Sequence, residues 1–109
     1  MEMDGFAFSS TDWSAVPAVR HAGETGEAIW RVQQFGPIRV RRVDYSAGYL
    51  ADHWCSKGHV LFVLEGELVT TLDDGRVVTT GAGCSYQVAD NHEAHRSSAP
   101  NGARLLIVD

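Results

Sequence analysis

Turn-forming residues punctuate this chain so densely that long helices have no room. From Ala28 onward, short runs of Val, Ile, Leu, Phe, Tyr and Thr are cut by Gly36-Pro37, Ser46-Ala47-Gly48, Ser56-Lys57-Gly58, Gly66, Asp73-Asp74-Gly75, Gly81-Ala82-Gly83 and Pro100-Asn101-Gly102. Glycine admits positive φ and proline removes a backbone donor, so each of these sites favours a turn. The runs between them read as strands: Ala28–Phe35, Ile38–Tyr45, Leu50–Cys55, His59–Glu65, Glu67–Leu72, Arg76–Thr80, Ser85–Val88, Ala94–Ser98 and Ala103–Val108. About nine short strands at regular spacing, with no helix between them, predict an all-β sandwich or barrel. Parallel βαβ folds lack their crossover helices here. The run Val60-Leu61-Phe62-Val63-Leu64 reads as a strand buried on both faces. Asp-Gly between Glu67–Leu72 and Arg76–Thr80 is a hairpin signal.

The chain has 109 residues, which is one domain's worth. Residues 1–27 read as an irregular N-terminal arm, in which Ser9-Ser10-Thr11-Asp12 caps a short turn and Trp13 and Val16 pin the arm to the body. Residues 28–109 form the β domain. Apolar residues make up 44%, enough for a core. The net charge of −5 argues against nucleic acid as a partner, because an acidic chain gains nothing from releasing phosphate counterions. No apolar run approaches the ~20 residues of a membrane helix. Met1-Glu2-Met3-Asp4 lacks the basic and apolar regions of a secretory signal. Two cysteines make no disulfide framework, and a reducing, cytoplasmic location is the simplest expectation. A Cys55–Cys84 bridge is disfavoured by that setting, and Cys84, beside a turn, reads as a small buried hydrophobe.

Four of the five histidines, His53, His59, His92 and His95, lie from residue 53 onward, and only His21 stands apart in the N-terminal arm. His53 and Cys55 are two apart on an extended segment, so their side chains share a face and Trp54 takes the other. His59 opens the most apolar strand, where an imidazole needs a polar partner. His95 opens another strand after a polar loop. Three imidazoles and one thiolate reachable from one cavity make a first-row metal site. A lone strand histidine is more often a core or surface residue, so spacing alone leaves a purely structural cluster open. His92 sits in the polar loop and is expected to be solvated.

Gly48, His53, Cys55, His59 and Gly66 resemble the first cupin motif, Gly-x5-His-x-His-x3/4-Glu-x6-Gly. His53 matches the first His, Cys55 the second and His59 the Glu. Gly66 keeps its spacing, while Gly48 stands one residue too close. Asp52-His53-Trp54-Cys55 is similar to the marker of a small bacterial cupin subgroup named for Asp, His, Cys and Trp. The second motif, Gly-x5-Pro-x-Gly-x2-His-x3-Asn, is degraded. Aligning its His on His95 puts Asp90 at the Pro and His92 at the second Gly. Aligning it on His92 fits Gly81 but puts Gln87 and Ala89 at the Pro and Gly. His95 is preferred, because Asp90-Asn91 supplies the turn chemistry.

The resemblance implies a double-stranded β-helix, the small jelly-roll barrel of the cupins, holding one divalent metal and often pairing as a homodimer. The implied ligands are His53, Cys55, His59 and His95. This set is softer than the usual three His and one Glu. Zinc suits it first, with copper, iron, manganese or nickel as alternatives. Four protein ligands in a closed tetrahedron would make a structural or sensing module. An open position would make a metal-dependent enzyme acting on a small polar metabolite in the barrel. Whether Cys55 is a ligand or a bystander to a three-His site stays open, as does enzyme status. Arg41, Tyr49 and Tyr86 are candidates for the barrel mouth. Arg39, Arg41 and Arg42 form a cationic run suited to an anion or to a solvated face. Glu65, Glu67 and Glu93 read as turn or loop residues, and no Asp or Glu is evidently placed to form the His–carboxylate pair of a metal-free acid/base cupin. Trp54 reads as a contact residue, between copies or between sheets.

Overall fold

A computed structural model describes residues 2–109, so Met1 of the N-terminal stretch lies outside the described residues. Nine strands run in chain order: β1 Val19–Ala22, β2 Glu27–Phe35, β3 Ile38–Tyr45, β4 Tyr49–Leu50, β5 His59–Leu72, β6 Val77–Gly81, β7 Ser85–Val88, β8 His95–Ala99 and β9 Ala103–Val108. All strand pairings among the described residues are antiparallel, and no α-helix occurs among them. The fold is the expected jelly roll. One curled sheet runs β1-β2-β3-β9-β5-β7 and the other β4-β8-β5-β6, with β5 shared between them.

That sharing corrects one expectation. His59–Glu65 and Glu67–Leu72 are a single strand, and Gly66 is not a turn between two. The first half of β5 pairs with β9 and β7, the second half with β8 and β6. A register shift between Val63 and Glu65 bends the strand from one sheet to the other, and Gly66 takes φ +77° just beyond it. Glycine marks a positive φ, and a bulge uses that as readily as a chain reversal does.

The core lies between the sheets and contains Val43, Leu61, Val63, Leu68, Leu105 and Ile107, all at most 3% exposed. Leu61 and Val63 alternate with Val60, Phe62 and Leu64, which are 39–45% exposed. The apolar run of β5 is therefore buried on one face only, as antiparallel sheets permit. Its outer positions are apolar because β-branched and aromatic residues suit a pleated surface whether or not it is covered.

The arm is less irregular than expected. Asp12 accepts from the Ser14 N–H at 3.0 Å and caps a 3-10 turn over Trp13–Ala15. Val16 is buried and Trp13 half-buried. β1 then adds a strand to the sheet edge, with Val19 opposite Trp30 and His21 opposite Ala28. The His21 ring packs tilted against Trp30, with centroids 4.2 Å apart. The predicted strand Leu50–Cys55 shrinks to β4 and an isolated bridge at Cys55, because the chain bends at Asp52 and His53. No helix of the described residues is long and apolar enough to cross a membrane.

Candidate metal centre

Three separate segments bring their side chains to one end of the barrel. His59 is the first residue of β5 and His95 the first of β8. Cys55 lies opposite His95 and exchanges both backbone hydrogen bonds with it, at 2.8 and 3.0 Å, so the two side chains emerge side by side. The surrounding loops are tied down. Arg96 donates to the Ala51 carbonyl at 2.7 Å, and the Asn91 N–H donates to the Ser56 carbonyl at 2.8 Å. The Gly58 N–H donates to Asp90 Oδ1 at 2.6 Å, and a β-carbon at Gly58 would stand 2.6 Å from the Asp90 nitrogen. The 55–58 and 89–92 loops can therefore cross only over a glycine. Asn91 takes φ +59°, the turn chemistry expected of Asp90-Asn91.

One donor atom each from Cys55, His59 and His95 lies within 4.8 Å of the other two. Ligands around a tetrahedral ion with 2.0–2.3 Å bonds stand roughly 3.3–3.8 Å apart, so closure needs side-chain movements of about an ångström. The imidazoles meet edge to face with centroids 4.9 Å apart. His95 is 3% exposed, and its Nδ1 lies 3.0 Å from the Glu93 carbonyl oxygen. A carbonyl only accepts, so Nδ1 carries the proton and Nε2 presents its lone pair. That Nε2 is buried without a partner. His59 uses Nε2 to meet the Tyr86 hydroxyl at 2.9 Å and leaves Nδ1 buried without a partner. Buried ring nitrogens are normally satisfied. Two that are not, side by side with a thiol, fit a soft divalent ion, and the Glu93 carbonyl and Tyr86 hydroxyl are contacts of the kind that would orient imidazoles on a metal.

The remaining predicted site residues divide. His53 lines the same cavity, but its donors lie outside the three-residue group; its Nδ1 is 2.7 Å from Asp52 Oδ1 and its side chain is 67% exposed. Asp52–His53 is the His–carboxylate pair that the sequence did not reveal. The bend that folds Asp52 back onto its neighbour has no spacing signature. Trp54 faces outward at 47% exposure, as alternation predicts. His92 is exposed. Cys84 is exposed rather than buried, because it sits on the turn before β7, and both cysteines are free.

Burial, then the neighbouring His95 ring and the Arg41 guanidinium, pull His59 down to about 4 from the ordinary value of 6.5. In the metal-free protein this sets a pH dependence. Below about pH 6.5 the unfolded chain protonates His59 while the folded protein does not until about pH 4. Stability therefore falls as pH drops from 6.5 to 4, and a His59→Gln variant shows a shallower fall. Urea denaturation of both apo-proteins across that window measures it; equal slopes would contradict the assignment. Burial also raises the Tyr86 phenol, which keeps it protonated beside His59.

Arg41, Tyr49 and Tyr86 line the cavity, as expected. Sequence reasoning missed Asp109, whose carboxylate is almost fully buried between Arg39 and Arg41 some seventy residues away.

No family model and no curated protein sequence matches this chain. Many solved structures do. A predicted oxalate decarboxylase from Thermotoga maritima superposes with a TM-score of 0.78 at 17% identity, over 92% of this chain and 96% of that one. A cupin-like protein from the same organism gives a TM-score of 0.68 at 17% identity, over 78% and 69% of the two chains. Fe(II)-HppE with an alternative substrate gives 0.74 at 17% identity, over 94% of this chain and 60% of that one. At these identities the likeness is one of fold, and that fold is the cupin barrel.

Proposed function

We propose that this chain is a small metallo-cupin of the Asp-His-Cys-Trp type that binds one divalent metal through Cys55, His59 and His95 and acts as an enzyme on a small polar metabolite. The observation that carries the reading is the pair of buried, unpartnered ring nitrogens on His59 and His95 beside the Cys55 thiol. One thiolate and two imidazoles suit zinc first, then copper or iron. Fe(II) in the structurally similar HppE supports a metal in a barrel of this shape. Three protein ligands leave a coordination position for a substrate or water, which a bound metal would polarise. His53, oriented by Asp52 at the cavity wall, is then a proton-handling group, with Nδ1–H held by the carboxylate and Nε2 left to accept.

A second reading has an observation of its own. His53 lines the same cavity with Nε2 untied, so a turn of its side chain would supply the fourth ligand and close a structural tetrahedron.

Cobalt(II) substitution tests the proposal. The loaded protein is expected to show thiolate-to-cobalt absorption that disappears in Cys55→Ser and survives in His53→Ala. A band that survives Cys55→Ser removes the thiolate from the site. Loss of the metal from His53→Ala would favour the closed reading.

A further inference from the structure

Arg41 is the one cavity residue whose charge the site does not yet explain. It is 7% exposed and stands in the wall shared with Cys55, His59 and His95. Its Nη2 reaches Asp109 Oδ2 at 3.2 Å, and its Nε has no partner. Arg39 holds the same carboxylate more closely, through Nε at 2.9 Å and Nη2 at 2.8 Å. Two guanidiniums thus share one side-chain carboxylate, and the buried Nε–H of Arg41 is left without an acceptor. No Asp or Glu lines this cavity among the described residues. A divalent metal with a single thiolate ligand would add another positive charge. The Trp30 ring, 4.8 Å from the guanidinium carbon, stabilises the cation without neutralising it. An uncompensated positive charge in a buried space is costly and favours a bound anion.

We infer that the molecule this cavity takes is a small carboxylate, with Arg41 as the residue that selects its charge. The inference rests on the metal reading above, which supplies the second cation. Size narrows the class. The cavity is about 80 Å³, under three times a water's share of liquid volume of about 30 Å³, so only the smallest carboxylates suit it. Acetate and glycolate are of that size. A guanidinium presents parallel N–H groups that match a carboxylate, which Lys does not. Neutral amides of the same shape would leave the charge uncompensated.

Acetate, with acetamide as its neutral isostere, is the probe. Cobalt(II)-loaded and metal-free protein are each titrated at constant ionic strength, and binding is read by calorimetry. The visible cobalt spectrum reports separately whether the thiolate site exists. Saturable acetate binding is expected, with acetamide at least about tenfold weaker and Arg41→Met at least about tenfold weaker for acetate while keeping the cobalt–thiolate band. Asp109→Asn is expected to bind acetate more tightly, because it removes the acceptor that competes for Arg41. This variant decides the matter if Arg41→Met fails to fold. Equal binding of acetate and acetamide, no saturable acetate binding, or weaker binding in Asp109→Asn would overturn the inference. A missing cobalt–thiolate band with acetate still bound through Arg41 would overturn the metal reading and leave the anion site standing.

Discussion

Removing a metal bound as proposed with a strong chelator is expected to lower the melting temperature by roughly 15–30 °C. An ion that binds the folded state alone, at about a thousand times its dissociation constant, contributes about 4 kcal/mol. For a domain of this size each kcal/mol moves the midpoint by about 4–8 °C. The effect is large because the ligands join distant segments: Cys55 in a loop, His59 at the start of β5 and His95 at the start of β8. Chelation also leaves the buried nitrogens of His59 and His95 unsatisfied again. His92→Ala, at an exposed loop position, leaves the shift unchanged. A scan with and without chelator measures it. A midpoint that does not move after complete metal removal would show that the three side chains do not act together.

Gly66→Ala is expected to cost about 3–5 kcal/mol, enough to unfold much of the population. Gly66 combines φ +77° with a carbonyl oxygen, that of Gly102, only 2.5 Å from where a β-carbon would stand. Both sides of that clash are backbone, and they lie where β5 passes from one sheet to the other. Relief would move β5 away from β9 and with it the start of the strand that carries His59. Gly75 is the control: its φ is +95°, but a β-carbon there meets nothing within 4 Å. Gly75→Ala should therefore cost only about 1–2 kcal/mol, the backbone share alone. Urea midpoints for the two variants give the contrast, and equal costs would mean that the close approach at Gly66 carries no weight.

Of the strands that sequence reading bounds correctly, Ile38–Tyr45 and Ser85–Val88 have turn residues at both ends, and Ala103–Val108 follows directly on the Pro100-Asn101-Gly102 turn. Errors fall where the local signal has two structural uses. Gly66 announces a positive φ, and only the pairing of β5 with four other strands shows that the chain continues. Leu50–Cys55 has strand-like residues, but pairing beyond Leu50 needs a neighbour that the bend at Asp52 denies it. In the site, alternation placed Cys55 and Trp54 on opposite faces, and the cupin resemblance pointed to His59 and His95. The inward turn of Arg41 is legible in the same way, since it shares a face with buried Val43. Its ion pair is not, because nothing in the order of residues announces that Asp109 lies beside it. The contact of Tyr86 with His59 depends on how β7 pairs with β5, which no short motif encodes.

Elemental analysis of the purified protein tests most directly whether Cys55, His59 and His95 hold one metal ion. About one equivalent of a divalent transition metal per chain, zinc first, is expected in the wild type and in His92→Ala. That metal should be lost in His59→Ala and in His95→Ala, with both variants shown to be folded. A wild-type protein that holds no metal even after reconstitution, or a folded His59→Ala that holds as much as the wild type, would contradict the account.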